Sequence, residues 1–180
     1  EMCIRDRDLK ASVLEDHLDC EQGDLPEEIF RKDLLCPRIF LEELTPYRSM
    51  IREFFEEETK HSFAEQPERI LDYLKKNITF HAEEEYDTIM ATPVGVLTMK
   101  QGSPLAQKIL FVAICRSLNV AARLNPVTLE PEYYRDGEFH SVETEAAVLK
   151  EETESAVLTL NAEDGSASVS YTHLTLPTTP

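Results

Sequence analysis

The stretch QGSPLAQKILFVAICRSLNVAARLNP, residues 101–126, decides how this chain is read. Its middle, Ile109-Leu110-Phe111-Val112-Ala113-Ile114-Cys115, is apolar at every angular position of a helix. A helix of that kind is buried all round rather than amphipathic. Ser103-Pro104 is a start signal, because the hydroxyl can accept a first-turn N–H and proline has no N–H to satisfy. Asn119 suits the left-handed position just past a last turn. The pattern therefore predicts a helix over residues 104–118, followed by VAARL as a buried strand.

Upstream of this helix the chain reads as helical. Leu9 to Leu18 has helical spacing, with Gly23 closing the segment. LPEEIFRKDLLCPRIF starts at Pro26, places Ile29, Leu34 and Leu35 on one face, and breaks at Cys36-Pro37. LTPYRSMIREFFEEE predicts a helix with Thr45 as N-cap and Pro46 in the first turn. Gln66 to Asn77 predicts another, with Ile70, Leu71 and Leu74 in one stripe and Asn77 at the exit. Residues 78–102 carry turn residues and no strong period, so they read as a long connection. Downstream, GEFHSVE reads as a strand antiparallel to VAARL, and AVLTLNAEDG as the first strand of a further segment. Helices first, one central helix, then strands make an α+β architecture: a helical lead-in and a central buried helix on a small antiparallel sheet.

The two ends read as foreign to that architecture. Met2 to Asp6, back-translated as ATG TGT ATA AGA GAC, is the reverse complement of codons for Val169 to His173. That relation is expected of translated sequencing-adapter ends and has no physical cause in a folded protein. The expected organisation is adapter at 1–7, helical lead-in at 8–65, core at 66–150, a truncated β segment at 151–167 and adapter at 168–180. Additional domains are expected in the same natural chain, and no compartment follows from ends of this kind.

Composition narrows the function classes. Apolar residues make up 42% of the chain, enough for a core, and no apolar run is long enough to cross a bilayer. A net charge of −17 repels phosphate backbones, which argues against nucleic acid and leaves a peptide or carbohydrate as the better-tolerated partner. Cys20, Cys36 and Cys115 form no CxxC pair, so they indicate neither a zinc site nor a disulfide framework. His17, His61 and His81 sit in polar surroundings without ligand spacing. Glu83, Glu84, Glu85 and Asp87 read as a solvated loop face, and Asn77-Ile78-Thr79 is a formal glycosylation sequon. No metal or cofactor is expected.

Gly102, Ser103, Ala106, Leu110, Arg116, Leu118, Asn119 and Val120-Ala121-Ala122-Arg123 together resemble the core of transglutaminase-like domains in the papain-like cysteine-protease superfamily. The lead-in from Leu25 to Phe55 is similar to that of large bacterial proteins carrying such a domain. The resemblance implies a Cys-His-Asp triad with the thiol at the N-terminus of the central helix, where the helix dipole and an imidazolium favour thiolate. The matching position is Ser103. Setting Phe139 on the family's strand aromatic puts Gly137 where the histidine belongs, with His140 close by, and no acid matches the aspartate. The expectation is a catalytically degenerate domain that binds a peptide or glycan or plays a structural part, with Tyr133, Tyr134 and Phe139 near the old cleft. The alternative is a hydrolase or acyl-transferase using Ser103 and His140. In the first reading Ser103 simply caps its helix.

Overall fold

The computed structural model describes residues 10–80 and 91–142, all within one unit of the chain. The AVLTLNAEDG strand, the acidic run at 83–87, His81 and both chain ends lie outside the described residues.

The lead-in runs α1 (Ala11–Leu18), α2 (Glu27–Ile29) continued by a π-helical stretch (Phe30–Leu35), α3 (Arg48–Phe54), α4 (Glu57–Glu65) and α5 (Glu68–Asn77). Then come β1 (Thr79–Phe80), α6 (Pro93–Met99), β2 (Gln101–Gly102), α7 (Pro104–Ser117), and the strands β3 (Ala122–Leu124), β4 (Pro131–Arg135) and β5 (Glu138–Ser141). The architecture is α+β, as the order of sequence patterns predicts.

The central helix α7 is the core. Ile109, Leu110, Phe111, Val112, Ala113 and Ile114 are all 0% exposed, and α3, α5, α6, β3 and β4 pack around them. Truncating one of the larger of these side chains, such as Leu110 or Phe111, to alanine costs about 2–5 kcal/mol. This surround explains why the segment has no polar stripe. Phe55, Phe63 and Tyr73 fill the gap between α3, α4 and α5 with edge-to-face contacts.

Four expectations are corrected. Thr45 does not cap α3: that helix starts at Arg48, and the Thr45 hydroxyl is buried with no hydrogen-bond partner among the described residues. The Asp16 carboxylate, far away in sequence, accepts from the N–H groups of Arg48 and Ser49 at 2.8 and 2.9 Å instead. The connection at 78–102 holds a helix, α6, capped by Thr92, whose hydroxyl accepts from Gly95 N at 3.2 Å. Gly95 and the valines of PVGVLTM are weak helix formers, and burial of Val96 and Leu97 outweighs that. GEFHS is not the neighbour of VAARL: β4, from EPEYYR, lies between them and pairs antiparallel with both, so β3 and β5 run the same way. His17 is buried, at 1% exposure, rather than in polar surroundings.

Two arginines tie the lead-in to the core. Arg116 on α7 donates to the carbonyls of Ala122 on β3 (2.8 Å), Cys36 (2.7 Å) and Arg38 (3.0 Å). Arg52 on α3 donates to Ser117 O at 2.6 Å and to the Asp19 carboxylate at 2.5 Å. Satisfying these carbonyls from charged donors fixes the loop after Pro37 and the exit of α1 against the end of α7.

Candidate functional site

Ser103 stands at the mouth of α7 with extended backbone, and its Oγ accepts the Ala106 N–H at 3.1 Å. Pro104 fills the first helical position. The preceding residue, Gly102, pairs with Phe80 in the parallel β1–β2 ladder. A Cβ on Gly102 would stand 3.2 Å from Val96 Cγ1 and 3.3 Å from Ala106 Cβ. Glycine is thus what lets the chain enter α7 so close to α6.

The far end of the helix is built differently. Val120 N donates to Cys115 O at 2.9 Å, and Asn119 takes the left-handed conformation, φ 60°, that turns the chain into β3. Arg116 Nε reaches Ala122 O, so the start of β3 lies beside the last turn of α7. Ala122 is paired with Tyr133, and Tyr133 with His140. His140 therefore lies across the sheet from the Arg116 end of α7. Fourteen residues of α-helix span about 21 Å, and Ser103 is at the opposite end. The sheet positions nearest that N-terminal end are Leu124, Pro131 and Val142, with Val142 N donating to Pro131 O at 2.9 Å. Glu130, just before β4, has its carboxylate on Lys108 at 2.7 Å.

His140 faces the core with Tyr133, the two rings stacked at 5.4 Å, and its Nε2 donates to Arg135 O at 3.2 Å. Tyr133 is 6% exposed and its hydroxyl donates to Glu68. Burial together with the Glu68 carboxylate pushes the Tyr133 phenol up to about 12. Burial would raise Glu68 as well, but the Tyr133 hydroxyl and Arg135 outweigh it and hold that carboxyl below its ordinary value. Tyr134 and Phe139 occupy the other face of the sheet, in edge-to-face contact at 5.2 Å. The Arg123 guanidinium lies 3.6 Å from the Phe139 ring centre and its Nε is 3.0 Å from Glu132. The three aromatics are thus split between two faces because adjacent strand residues alternate. Gly137 forms the β4–β5 turn with Asp136, both at positive φ.

Tyr134 opens onto a pocket of about 380 Å³ at the C-terminal end of α7. Its walls are the lead-in loop from Glu21 to Leu25 and the turn from Asn119 to Ala121. Arg135 also reaches it, with its guanidinium donating to Ala64 O and Glu65 O. Volume of this order suits one or two residues of a chain-like ligand. The sequence reading missed this pocket, since its two walls are nearly a hundred residues apart. Cys115 is buried, and burial pushes its thiol well up, so it behaves as a small apolar side chain. Among the described residues no group of three His, Cys, Asp or Glu side chains is placed to hold a metal ion.

Comparison with known proteins bears on this arrangement. A family model described as the transglutaminase-like superfamily matches residues 48–148, more than half of the chain. No match is found among curated proteins or among solved structures. The matched stretch begins at the first residue of α3 and takes in the glycine-led entry to α7, the buried helix itself and the three-stranded sheet beside it. By that match the chain belongs to the transglutaminase-like superfamily.

Proposed function

We propose that this transglutaminase-like domain is catalytically degenerate and acts as a binding module for an extended peptide or a glycan. The observation that carries the reading is the engagement of Ser103. Its hydroxyl accepts the Ala106 N–H, and among the described residues its polar partner is that amide rather than an imidazole. A serine alcohol at a helix N-terminus needs a base in contact to become a nucleophile. His140, the candidate base, is held by Arg135 O on a strand reached from the other end of α7. The pocket beside Tyr134 gives the domain a concave, partly aromatic surface on which a peptide or sugar can lie.

The test is a set of Ser103 variants. Ser103→Ala is expected to lower stability by about 1 kcal/mol through loss of the cap, whereas Ser103→Asp retains it, since aspartate caps as well and suits the positive helix end. Ester hydrolysis and amine incorporation into glutamine peptides should stay at background in the wild type and both variants. Turnover by the wild type that disappears in both Ser103→Ala and His140→Ala would establish the alternative, a hydrolase or acyl-transferase. The binding half is read by titrating peptide and glycan arrays with the wild type and with Tyr134→Ala. Loss of captured ligand in that variant is the expected result.

A further inference from the structure

The pocket beside Tyr134 carries charge as well as shape. Glu21 and Asp24, both exposed, stand in one wall, and neither carboxylate is in an ion pair among the described residues. Their loop is closed as a β-turn: Leu25 N donates to Gln22 O at 3.1 Å, and Gln22 Nε2 donates to Leu25 O at 3.0 Å. The opposite wall, Asn119 to Ala121, is fixed by Val120 N on Cys115 O (2.9 Å) and by Tyr134 N on Ala121 O (2.7 Å). Among the described lining residues the cation is Arg135, whose guanidinium is turned to Glu65 O at 2.5 Å and Ala64 O at 2.7 Å. That leaves the two carboxylates as the charges without a partner.

Apolar surface completes the lining. Leu25 and Val120 are half-buried in the walls, and Tyr134, also half-buried, has the Phe139 ring 5.2 Å behind it. Such a lining matches a side chain with a long methylene stem and a cationic head, which buries the stem and keeps its charge near water. An aromatic wall adds attraction for the same head. The net charge of −17 draws positive ligands toward the chain and repels acidic ones. A neutral sugar would find hydrogen-bond acceptors in these carboxylates but leave their charge unmatched, so the lining favours a peptide over a glycan.

We propose that the pocket beside Tyr134 takes a lysine or arginine side chain of an extended peptide, its stem against Leu25, Val120 and Tyr134 and its head at Glu21 and Asp24. This assignment rests on the reading of the domain as a binding module and narrows the ligand to a basic peptide.

The experiment follows backbone amides of the isotope-labelled full chain by NMR. The probes are short blocked peptides, alike except for a central lysine, norleucine or glutamate, and a neutral oligosaccharide of N-acetylglucosamine. The lysine peptide is expected to shift the amides of residues 21–25 and 119–121 and to bind about ten times more tightly than the norleucine peptide, the glutamate peptide being weaker still. That preference should shrink as salt rises from about 0.01 to 0.15 M. Glu21→Gln combined with Asp24→Asn, both at exposed positions, should bring the lysine peptide to the norleucine level. Equal binding of the lysine and norleucine peptides at these amides, or tighter binding of the oligosaccharide there, overturns the basic-peptide assignment and leaves the binding-module reading standing. A lysine preference that survives in the double variant, or shifts confined to other amides, overturns the assignment as well. If no probe at about 1 mM shifts these amides, the assignment and the pocket as a binding site fall together.

Discussion

Acidification should destabilise this protein through His17, and the size of the effect follows from the packing. The ring is 1% exposed, set edge-on against Tyr47 at 4.6 Å, with Nδ1 donating to Val13 O at 2.8 Å. Nε2 is buried and has no hydrogen-bond partner among the described residues. Burial lowers the imidazole from 6.5 to about 4; the Val13 carbonyl and Asp16 oppose the shift, while Arg48 and Arg116 add to it. The fold thus favours neutral His17 and binds fewer protons than the unfolded chain between pH 6.5 and 4. Stability must fall as pH drops through that window. At 1.36 kcal/mol per pKa unit the loss is about 3 kcal/mol, a large share of the 5–15 kcal/mol typical of a domain. Other groups titrate nearby. Burial raises the Asp33 carboxyl, which works in the opposite direction, and Asp16, held low, matters chiefly below its unfolded value of 3.8. The measurement is therefore a difference. Urea unfolding of the wild type and His17→Asn is followed by circular dichroism from pH 7 to pH 4. Asparagine keeps a donor for Val13 O and does not titrate. The destabilisation caused by the substitution should shrink by about 3 kcal/mol across the window. A difference that is the same at both pH values refutes the reasoning, as would a His17 NMR titration centred near 6.5.

Two further substitutions test the links between lead-in and core. Arg116→Met removes the donor for the carbonyls of Ala122, Cys36 and Arg38, and at about 1 kcal/mol or more for each buried acceptor the loss should reach roughly 3 kcal/mol, read as a lower urea midpoint. Asp16→Ala uncaps α3 from a distance and should cost about 1–2 kcal/mol, with faster hydrogen exchange at the amides of Arg48 and Ser49.

The sequence by itself determined the centre of the molecule. A run with no polar face can be stable as a helix only if other elements enclose it, so α7 and its burial follow from residues 104–118 alone. Ser103-Pro104 and Asn119 marked its two ends correctly because capping depends on side-chain chemistry within a few residues. The same logic failed at Thr45-Pro46 and went unused at Thr92-Pro93, although the three dipeptides look alike. Which of them starts a helix at the expected residue depended on what packs there: Asp16 capped α3 further on, and α7 gave α6 a surface to bury Val96 and Leu97. Strand order was likewise a tertiary matter. PEYYR mixes polar and aromatic residues without clean alternation, because Pro131, Glu132 and Tyr133 are all buried, and its place between β3 and β5 put His140 on the far strand. The partners of Arg116 and the pocket beside Tyr134 both join residues of the lead-in to residues of the core. Contacts across such separations carry no local signature in a sequence, since they are set by how elements stack rather than by neighbours along the chain.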